Sequence, residues 1–178
     1  MPPDRYSRQT RVAGIGEPGQ LKLSNSTVLI VGCGALGTHL ADTLARAGVG
    51  SLHLVDRDIV EWSNLQRQVL FTESDAEQGL PKAIAARDRL RAINSTIQIT
   101  GHVADCSREF LANLAERPDL VLDGTDNFPT RYLINDWCRQ QGLPWIYAGA
   151  VGTEGASMVV TKDSACLRCL WPTAPAQS

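Results

Sequence analysis

A glycine-rich turn between an apolar run and a helical repeat constrains this chain more than any other feature. The run Val-Leu-Ile-Val at residues 28–31 predicts a buried strand. It leads into Gly-Cys-Gly-Ala-Leu-Gly at residues 32–37, which has the spacing G-x-G-x-x-G. Apolar residues then recur at helical spacing as far as Ala47. Strand, tight turn and helix in this order are typical of a nucleotide-binding βα unit.

Each glycine of the turn has its own expected role. Gly32 permits the turn, Gly34 lets a phosphate approach the backbone, and Gly37 lets the helix pack closely on the strand. A second predicted strand ends at Asp56, about twenty residues later, where a carboxylate accepts hydrogen bonds from ribose hydroxyls. The alternative is a glycine-rich turn that binds nothing. The fingerprint does not identify the nucleotide: NAD is the default, but the flanking residues argue against it.

The composition is that of a chain of one-domain size. It has 178 residues, 43% of them hydrophobic, and a formal net charge of −2. A near-neutral chain lacks the basic footprint of nucleic-acid binding, and no apolar run approaches the roughly eighteen residues that span a membrane. The N-terminus has no apolar signal core. We therefore expect a cytoplasmic protein with neither a nucleic acid nor a membrane as its partner.

Residues 1–26 are expected to form an N-terminal arm, with one short amphipathic piece marked by Leu21 and Leu23. Residues 27–178 follow as one Rossmann-like domain. The arm carries Arg5, Arg8 and Arg11 within a few positions of one another. They form either a solvated basic tail or an arm that reaches an anionic site on a neighbouring subunit.

The second half of the chain repeats the alternation of strands and helices. Strands are predicted at residues 96–103, 119–123 and 145–148, and residues 151–161 suggest an added strand or hairpin. The predicted fold class is therefore α/β: a Rossmann-like, mostly parallel sheet with helices on both faces and a C-terminal antiparallel extension at the sheet edge.

Polar residues that suit phosphate follow the second predicted strand. Asn64 and Arg67 can point the same way on one helical turn, and a guanidinium beside an amide suits phosphate oxygens. Lys82 opens the next predicted helix behind Pro81, although a cation near a helix N-terminus opposes the macrodipole. The simplest compensation is a bound polyanion. The alternative for both Arg67 and Lys82 is an ordinary solvated cation.

Asp126 follows another predicted buried strand, at the same sheet edge as the glycine turn and Asp56. A carboxylate beside nucleotide phosphates repels them unless a divalent cation intervenes, so we assign Asp126 to magnesium. The alternative is that Asp126 or Asn127 caps the following helix.

The C-terminal region carries a C-x-x-C pair, Cys166 and Cys169. Such a pair is half of a tetrahedral zinc site, and a thioredoxin-like redox pair is the competing interpretation. Redox pairs lie between an early strand and a long helix, whereas this pair comes late in the chain. Cys33, Cys106 and Cys138 are expected to be buried thiols.

Seven motifs, taken together, resemble the family of adenylating enzymes that includes ThiF, MoeB and HesA, the bacterial relatives of ubiquitin-activating enzymes. They are Arg-Tyr-Ser-Arg-Gln at 5–9, Gly-Cys-Gly-Ala-Leu-Gly at 32–37, Asp-Arg-Asp at 56–58, Ser-Asn-Leu-Gln-Arg-Gln at 63–68, Leu-Pro-Lys at 80–82, Gly-Thr-Asp-Asn at 124–127 and Cys-Leu-Arg-Cys at 166–169.

This resemblance implies that the nucleotide is ATP. The second substrate would be the C-terminal Gly-Gly carboxylate of a ubiquitin-like sulfur carrier, which becomes an acyl-adenylate as pyrophosphate leaves. By motif, the nucleotide-binding set is Gly32, Gly34, Gly37, Asp56, Asp58, Asn64, Arg67 and Lys82. The catalytic set is Arg67, Lys82, Asp126 and Arg8, of which Asp126 holds Mg²⁺ and Arg8 reaches in from the partner subunit of a homodimer.

The chain departs from the family pattern in lacking a crossover loop and a second C-x-x-C. We therefore expect a shortened protein or a partner to another polypeptide, with Cys166 and Cys169 supplying only half of a zinc site. Two other functions stay open at this point. One is a truncated module that binds ATP without turnover, and the other is an NAD-dependent oxidoreductase, which would need a substrate domain.

Overall fold

A six-stranded sheet organises the molecule. In this computed structural model, which describes residues 5–173, the strands are β1 (Thr27–Val31), β2 (Ser51–Val55), β3 (Gln98–His102), β4 (Leu120–Asp123), β5 (Trp145–Val151) and β6 (Glu154–Val160). Their order in the sheet is β3-β2-β1-β4-β5-β6. The first five strands are parallel, and β6 pairs antiparallel with β5. The predicted fold class, including the antiparallel extension at the edge, is confirmed.

Helices cover both faces of this sheet. They are α1 (Gly16–Ser24), α2 (Ala35–Ala47), α3 (Glu73–Glu77), α4 (Lys82–Ile93), α5 (Arg108–Ala112), α6 (Phe128–Gln141) and α7 (Leu167–Leu170), with a 3₁₀ turn at Trp62–Asn64. Alternate residues of a strand point to opposite faces. Ile30 of β1 accordingly packs in one core with α2 and α4, whereas Leu29 packs in the other with α5 and α6.

The glycine turn joins β1 to α2 through close backbone contacts. Gly32 has φ +90°, and a Cβ there would lie 2.7 Å from the carbonyl oxygen of Gly124. A Cβ on Gly37 would collide with the carbonyl oxygen of Gly32. A larger residue at position 37 would push α2 away from the end of β1, and one at position 32 would collide with the backbone that follows β4, so the turn depends on both glycines.

The N-terminal arm is fixed to the far end of α2. The Tyr6 side chain is buried over Gly48, and its hydroxyl accepts a hydrogen bond from Asn94 Nδ2 at 2.9 Å. Gln9 Nε2 donates to the carbonyl of Ala47 at 3.0 Å. A helix of this length is roughly 20 Å long. The anchored part of the arm, around Tyr6 and Gln9, therefore lies at the opposite end of α2 from the glycine turn.

Helix α1 includes the short amphipathic piece expected in the arm, but its buried residue is neither of the two leucines that marked that piece. Leu23 packs against the core, whereas Leu21 is 63% exposed. Gln20 is buried instead because its amide donates to the carbonyl of Ala47 and accepts from Gln9. Across residues 5–173, no helix is both long and apolar enough to cross a membrane.

Candidate functional site

A cavity of about 660 Å³ opens at the carboxyl ends of the parallel strands. It lies where the strand order reverses between β1 and β4, which is where open α/β sheets bind ligands. Its volume is within the roughly 300–1,000 Å³ of small-molecule sites. Eight of the predicted site residues line it: Gly32, Gly34, Asp56, Asp58, Asn64, Arg67, Lys82 and Asp126. Gly37, Arg8, Cys166 and Cys169 are not among the lining residues.

Cationic and amide groups form one wall of this cavity. Lys82 is the first residue of α4, and its side chain is buried. Its Nζ donates to Asp58 Oδ2 at 3.2 Å, so a carboxylate of the chain already offsets the unfavourable position of Lys82 at a helix N-terminus. Arg67 is exposed and donates to the carbonyl of Ser63, which leaves most of its guanidinium free to bind a ligand.

Asn64 and Asp56 are held in fixed orientations beside this wall. Asn64 is buried in the 3₁₀ turn, and its Oδ1 accepts from the backbone N–H of Glu61 at 3.1 Å. Asp56 follows β2 and accepts from the backbone N–H groups of Cys33, at 2.6 Å, and Asp58, at 2.8 Å. Burial raises the pKa of Asp56, while these two hydrogen bonds and the charge of Lys82 oppose the shift. Each carboxylate oxygen retains a lone pair that can accept from a ribose hydroxyl.

The structure shows which of the two residues before α6 caps that helix. Asn127 is the N-cap, because its Oδ1 accepts from the backbone N–H of Thr130 at 3.0 Å. Asp126 is exposed and borders the cavity. Mg²⁺ is commonly held by one or two carboxylates together with substrate phosphates, and Asp126 fits that requirement. Within residues 5–173, no group of three or more His, Cys, Asp or Glu side chains could hold a metal ion.

The sequence analysis did not identify a buried ion pair whose arginine lines the cavity. Arg131 Nε donates to Asp123 Oδ2 at 3.1 Å, and its Nη2 donates to the carbonyls of Thr125 and Ala148. Burial raises the pKa of Asp123, against hydrogen bonds from Thr125 and the charge of Arg131. A signal existed in the sequence, because Arg131 lies three residues before Ile134 and so falls on the apolar face of α6.

The two predicted zinc ligands lie together, outside the cavity lining. Cys166 caps α7, and its Sγ is 3.5 Å from that of Cys169. Partial burial would raise the pKa of Cys166, but hydrogen bonds from Cys169 lower it overall. The pair can supply two of the four ligands of a tetrahedral zinc site. Cys33 and Cys138 are buried as expected, whereas Cys106 is half-buried.

Comparison with known proteins gives a consistent result. The sequence pattern of the ThiF family matches residues 6–178. The chain is 47% identical over 172 residues to the Bacillus subtilis sulfur carrier protein ThiS adenylyltransferase, covering 96% of this chain and 51% of that protein. It is also 47% identical over 170 residues to the protein of the same name from Escherichia coli, covering 94% of this chain and 67% of that one. The chain thus spans only part of the length of its curated relatives.

Solved structures carry the same architecture. The E. coli MccB structure with ATP superposes with a TM-score of 0.82 at 29% identity, over 93% of this chain and 52% of that one. Another MccB structure, with MccA-N7isoASN, gives a TM-score of 0.85 at 28% identity, over 100% of this chain and 53% of that one. The glycine turn, the strand order and a sequence match over nearly the whole length agree, and this chain belongs to the ThiF family.

Proposed function

We propose that residues 27–178 form the ATP-binding domain of a sulfur-carrier adenylyltransferase, with residues 1–26 as its N-terminal arm. The single observation that carries the proposal is one cavity that combines Asp56, the cationic wall of Arg67 and Lys82, and Asp126. The adenylyltransferase names of the B. subtilis and E. coli relatives support it. A cytoplasmic location belongs to the same proposal.

The charges of the reactants define what the site has to do. The C-terminal Gly-Gly carboxylate of a ubiquitin-like carrier attacks the α-phosphorus of ATP. The bond from the α-phosphorus to the bridging oxygen breaks, and pyrophosphate leaves while the carrier becomes an acyl-adenylate. Two anions must meet and a third must depart, so cations and positioning supply the catalysis. This step requires neither a protein nucleophile nor a general base.

Residues of the cavity divide this work. Asp56 accepts from the ribose hydroxyls, and Gly32 and Gly34 leave room for phosphate to approach the backbone. Arg67 and Lys82 donate to phosphate oxygens and offset the charge that develops on pyrophosphate. Charge-assisted hydrogen bonds of this kind are roughly twice as strong as neutral ones.

The remaining members of the predicted set act around these residues. Asn64 orients the phosphate chain, Asp58 keeps Lys82 in place, and Gly37 seats α2 behind the turn. Asp126 would hold Mg²⁺, which supplies charge neutralisation on the phosphates when bound.

A homodimer explains how Arg8 can belong to the site although it lies far from the cavity of its own chain. Arg8 is exposed on an arm that is anchored at the far end of α2, roughly 20 Å from the glycine turn. We infer that Arg8 completes the cavity of a partner subunit rather than that of its own chain. Cys166 and Cys169 would bind Zn²⁺ only with two further ligands, so no step of the proposed reaction runs through zinc.

Pyrophosphate exchange tests the proposal. The chain is incubated with MgATP, labelled pyrophosphate and a ubiquitin-like carrier that ends in Gly-Gly, and incorporation of label into ATP is followed. We expect exchange that depends on the carrier and falls about 100-fold in Arg67→Ala, because a charge-assisted contact to the leaving group is lost. Arg46→Ala, which removes an exposed arginine paired with Asp42 on α2, is the matched control and should exchange normally.

The outcomes separate the competing functions. MgATP binding without exchange for any Gly-Gly carrier would favour a module that binds the nucleotide and does not turn over. A thermal shift with NAD and none with MgATP would favour an oxidoreductase. Both ligands can be compared on the same sample, where saturation a hundredfold above the Kd adds about 2.7 kcal/mol of stability.

A further inference from the structure

An ion pair borders the cavity beside Asp56. Arg57 follows β2, Asp105 lies in the loop after β3, and Arg57 Nη1 donates to Asp105 Oδ1 at 2.9 Å. Arg57 Nε also lies 3.7 Å from Asp58. Arg57 and Asp105 both line the cavity, with 70% and 67% of their side chains exposed. A pair this exposed adds little to stability, so stability does not explain its position.

Asp58 joins this ion pair to the cationic wall, because it lies 3.7 Å from Arg57 Nε and accepts from Lys82 Nζ at 3.2 Å. The elements that lead away from the two groups lie on different faces of the sheet. Lys82 begins α4, which packs with α2 on one face of the sheet. Residues 104–106 lead from β3 to α5, on the other face. A nucleotide with its ribose at Asp56 and its phosphates toward Lys82 can extend its base toward residues 104–106 and Arg57, which line the same cavity.

The residues at this end suit an uncharged ring. Ala104 and Val55 line the cavity here, and Cys106 lies beside them. Burial raises the pKa of Cys106 to about 12, with the charges of Asp123 and Asp105 acting in the same direction, so the thiol is neutral at physiological pH. Small apolar groups can cover one face of a base, and the second face is left to Arg57.

We propose that Arg57 covers the purine base of the bound nucleotide by stacking its guanidinium on the ring, while Asp105 and Asp58 hold its position. A guanidinium is planar and stacks on aromatic faces, and its hydrogen bonds lie in its own plane, so pairing with carboxylates leaves its faces free. A purine offers a larger face than a pyrimidine. Arg57 thus determines preference for the base and contributes nothing to phosphate binding. The inference rests on the proposed nucleotide site.

Calorimetric titration with MgATP and MgUTP tests the inference, because these nucleotides share ribose and triphosphate and differ only in the base. Loss of a stacking contact weakens binding of the base and leaves the ribose and phosphate contacts in place. We expect Arg57→Ala to bind MgATP about 10-fold more weakly and MgUTP at most about 3-fold more weakly. Arg57→Lys keeps the charge without the plane and should remain close to Arg57→Ala.

Arg46→Ala removes a comparable exposed Arg–Asp pair outside the cavity and should bind both nucleotides like the wild type. Equal losses for MgATP and MgUTP, or recovery in Arg57→Lys, would assign Arg57 to the phosphates and overturn the inference. Unchanged affinity in Arg57→Ala would overturn it as well, with the proposed function intact. A wild type that binds neither nucleotide would instead overturn the proposed function, and the inference with it.

Discussion

Two buried cations line the same cavity, and they differ in the exposure of their carboxylate partners. Lys82 and Arg131 are each 7% exposed. The side chain of Asp58, which pairs with Lys82, is 57% exposed, whereas Asp123, which pairs with Arg131, is fully buried. The exposed carboxylate stays solvated if its cation turns to a ligand. The buried one would be left as an unpaired charge in the core.

Arg131 also has more hydrogen-bond partners than Lys82. Arg131 donates to Asp123 and to the carbonyls of Thr125 and Ala148, and its guanidinium lies over the rings of Phe128 and Tyr147. Among residues 5–173, Lys82 Nζ has a single hydrogen-bond partner, and an ammonium has three donors. Burial alone therefore does not distinguish a cation that supports the cavity wall from one that can bind a ligand.

The largest expected effect follows from replacing Arg131. Arg131→Met leaves Asp123 buried without its cation, and losing one partner of a buried ion pair costs about 3–5 kcal/mol. For a chain of this size that corresponds to a fall in Tm of roughly 10 °C. Urea denaturation measures the change in unfolding free energy. Arg46→Met is the control, since its pair with Asp42 is exposed to solvent and its loss should leave the unfolding free energy close to that of the wild type. Wild-type stability in Arg131→Met would remove the distinction between the two cations.

Replacing Lys82 should weaken MgATP binding more than it lowers the stability of the fold. Lys82→Met leaves Asp58 in solvent, so we expect a change in unfolding free energy of about 1 kcal/mol or less. A hydrogen bond to a charged group is worth about 1.5–3 kcal/mol, which predicts MgATP binding roughly 10- to 100-fold weaker. Calorimetric titration and urea denaturation on one preparation measure both quantities. The comparison fails if Lys82→Met unfolds as easily as Arg131→Met, or if it binds MgATP like the wild type.

The sequence was informative where local chemistry decides the structure. The apolar run of β1, the glycine turn and the helical repeat of α2 each depend on near neighbours, so their patterns predicted the observed elements. Lys82 stood out because a cation opens α4 against the helix macrodipole. That conflict can be read from local sequence, and Lys82 lines the cavity.

Interactions between distant segments were harder to predict. The partner of Lys82 is Asp58, 24 residues away, which the ends of β2 and α4 bring together. The position of Arg131 on the apolar face of α6 indicates burial, but its partners are identified only once β4 and β5 place Asp123 and the carbonyl of Ala148 around it. Strand β5 likewise runs to Val151, beyond the predicted end at residue 148, because pairing with β6 extends it. Partners of this kind follow from the folded topology and not from spacing.

A pH titration gives the smallest effect and the sharpest test of why the two cations differ. Burial already raises the pKa of Asp123 above the unfolded value, and Arg131 opposes that shift, so Arg131→Met should raise this pKa further. A carboxyl whose folded pKa is raised binds a proton more readily when folded than when unfolded. Its contribution to stability therefore increases as the pH falls through the folded pKa toward the unfolded one.

The stability deficit of Arg131→Met relative to wild type should thus shrink by about 1–2 kcal/mol between pH 7 and pH 4.5, because Asp123 can become neutral. Lys82→Met is the comparison, since its partner Asp58 is exposed and no buried charge is left behind. Urea denaturation at several pH values measures both deficits relative to wild type. A deficit in Arg131→Met that is independent of pH would mean that lost packing over Phe128 and Tyr147, and not the buried charge of Asp123, makes Arg131 structural.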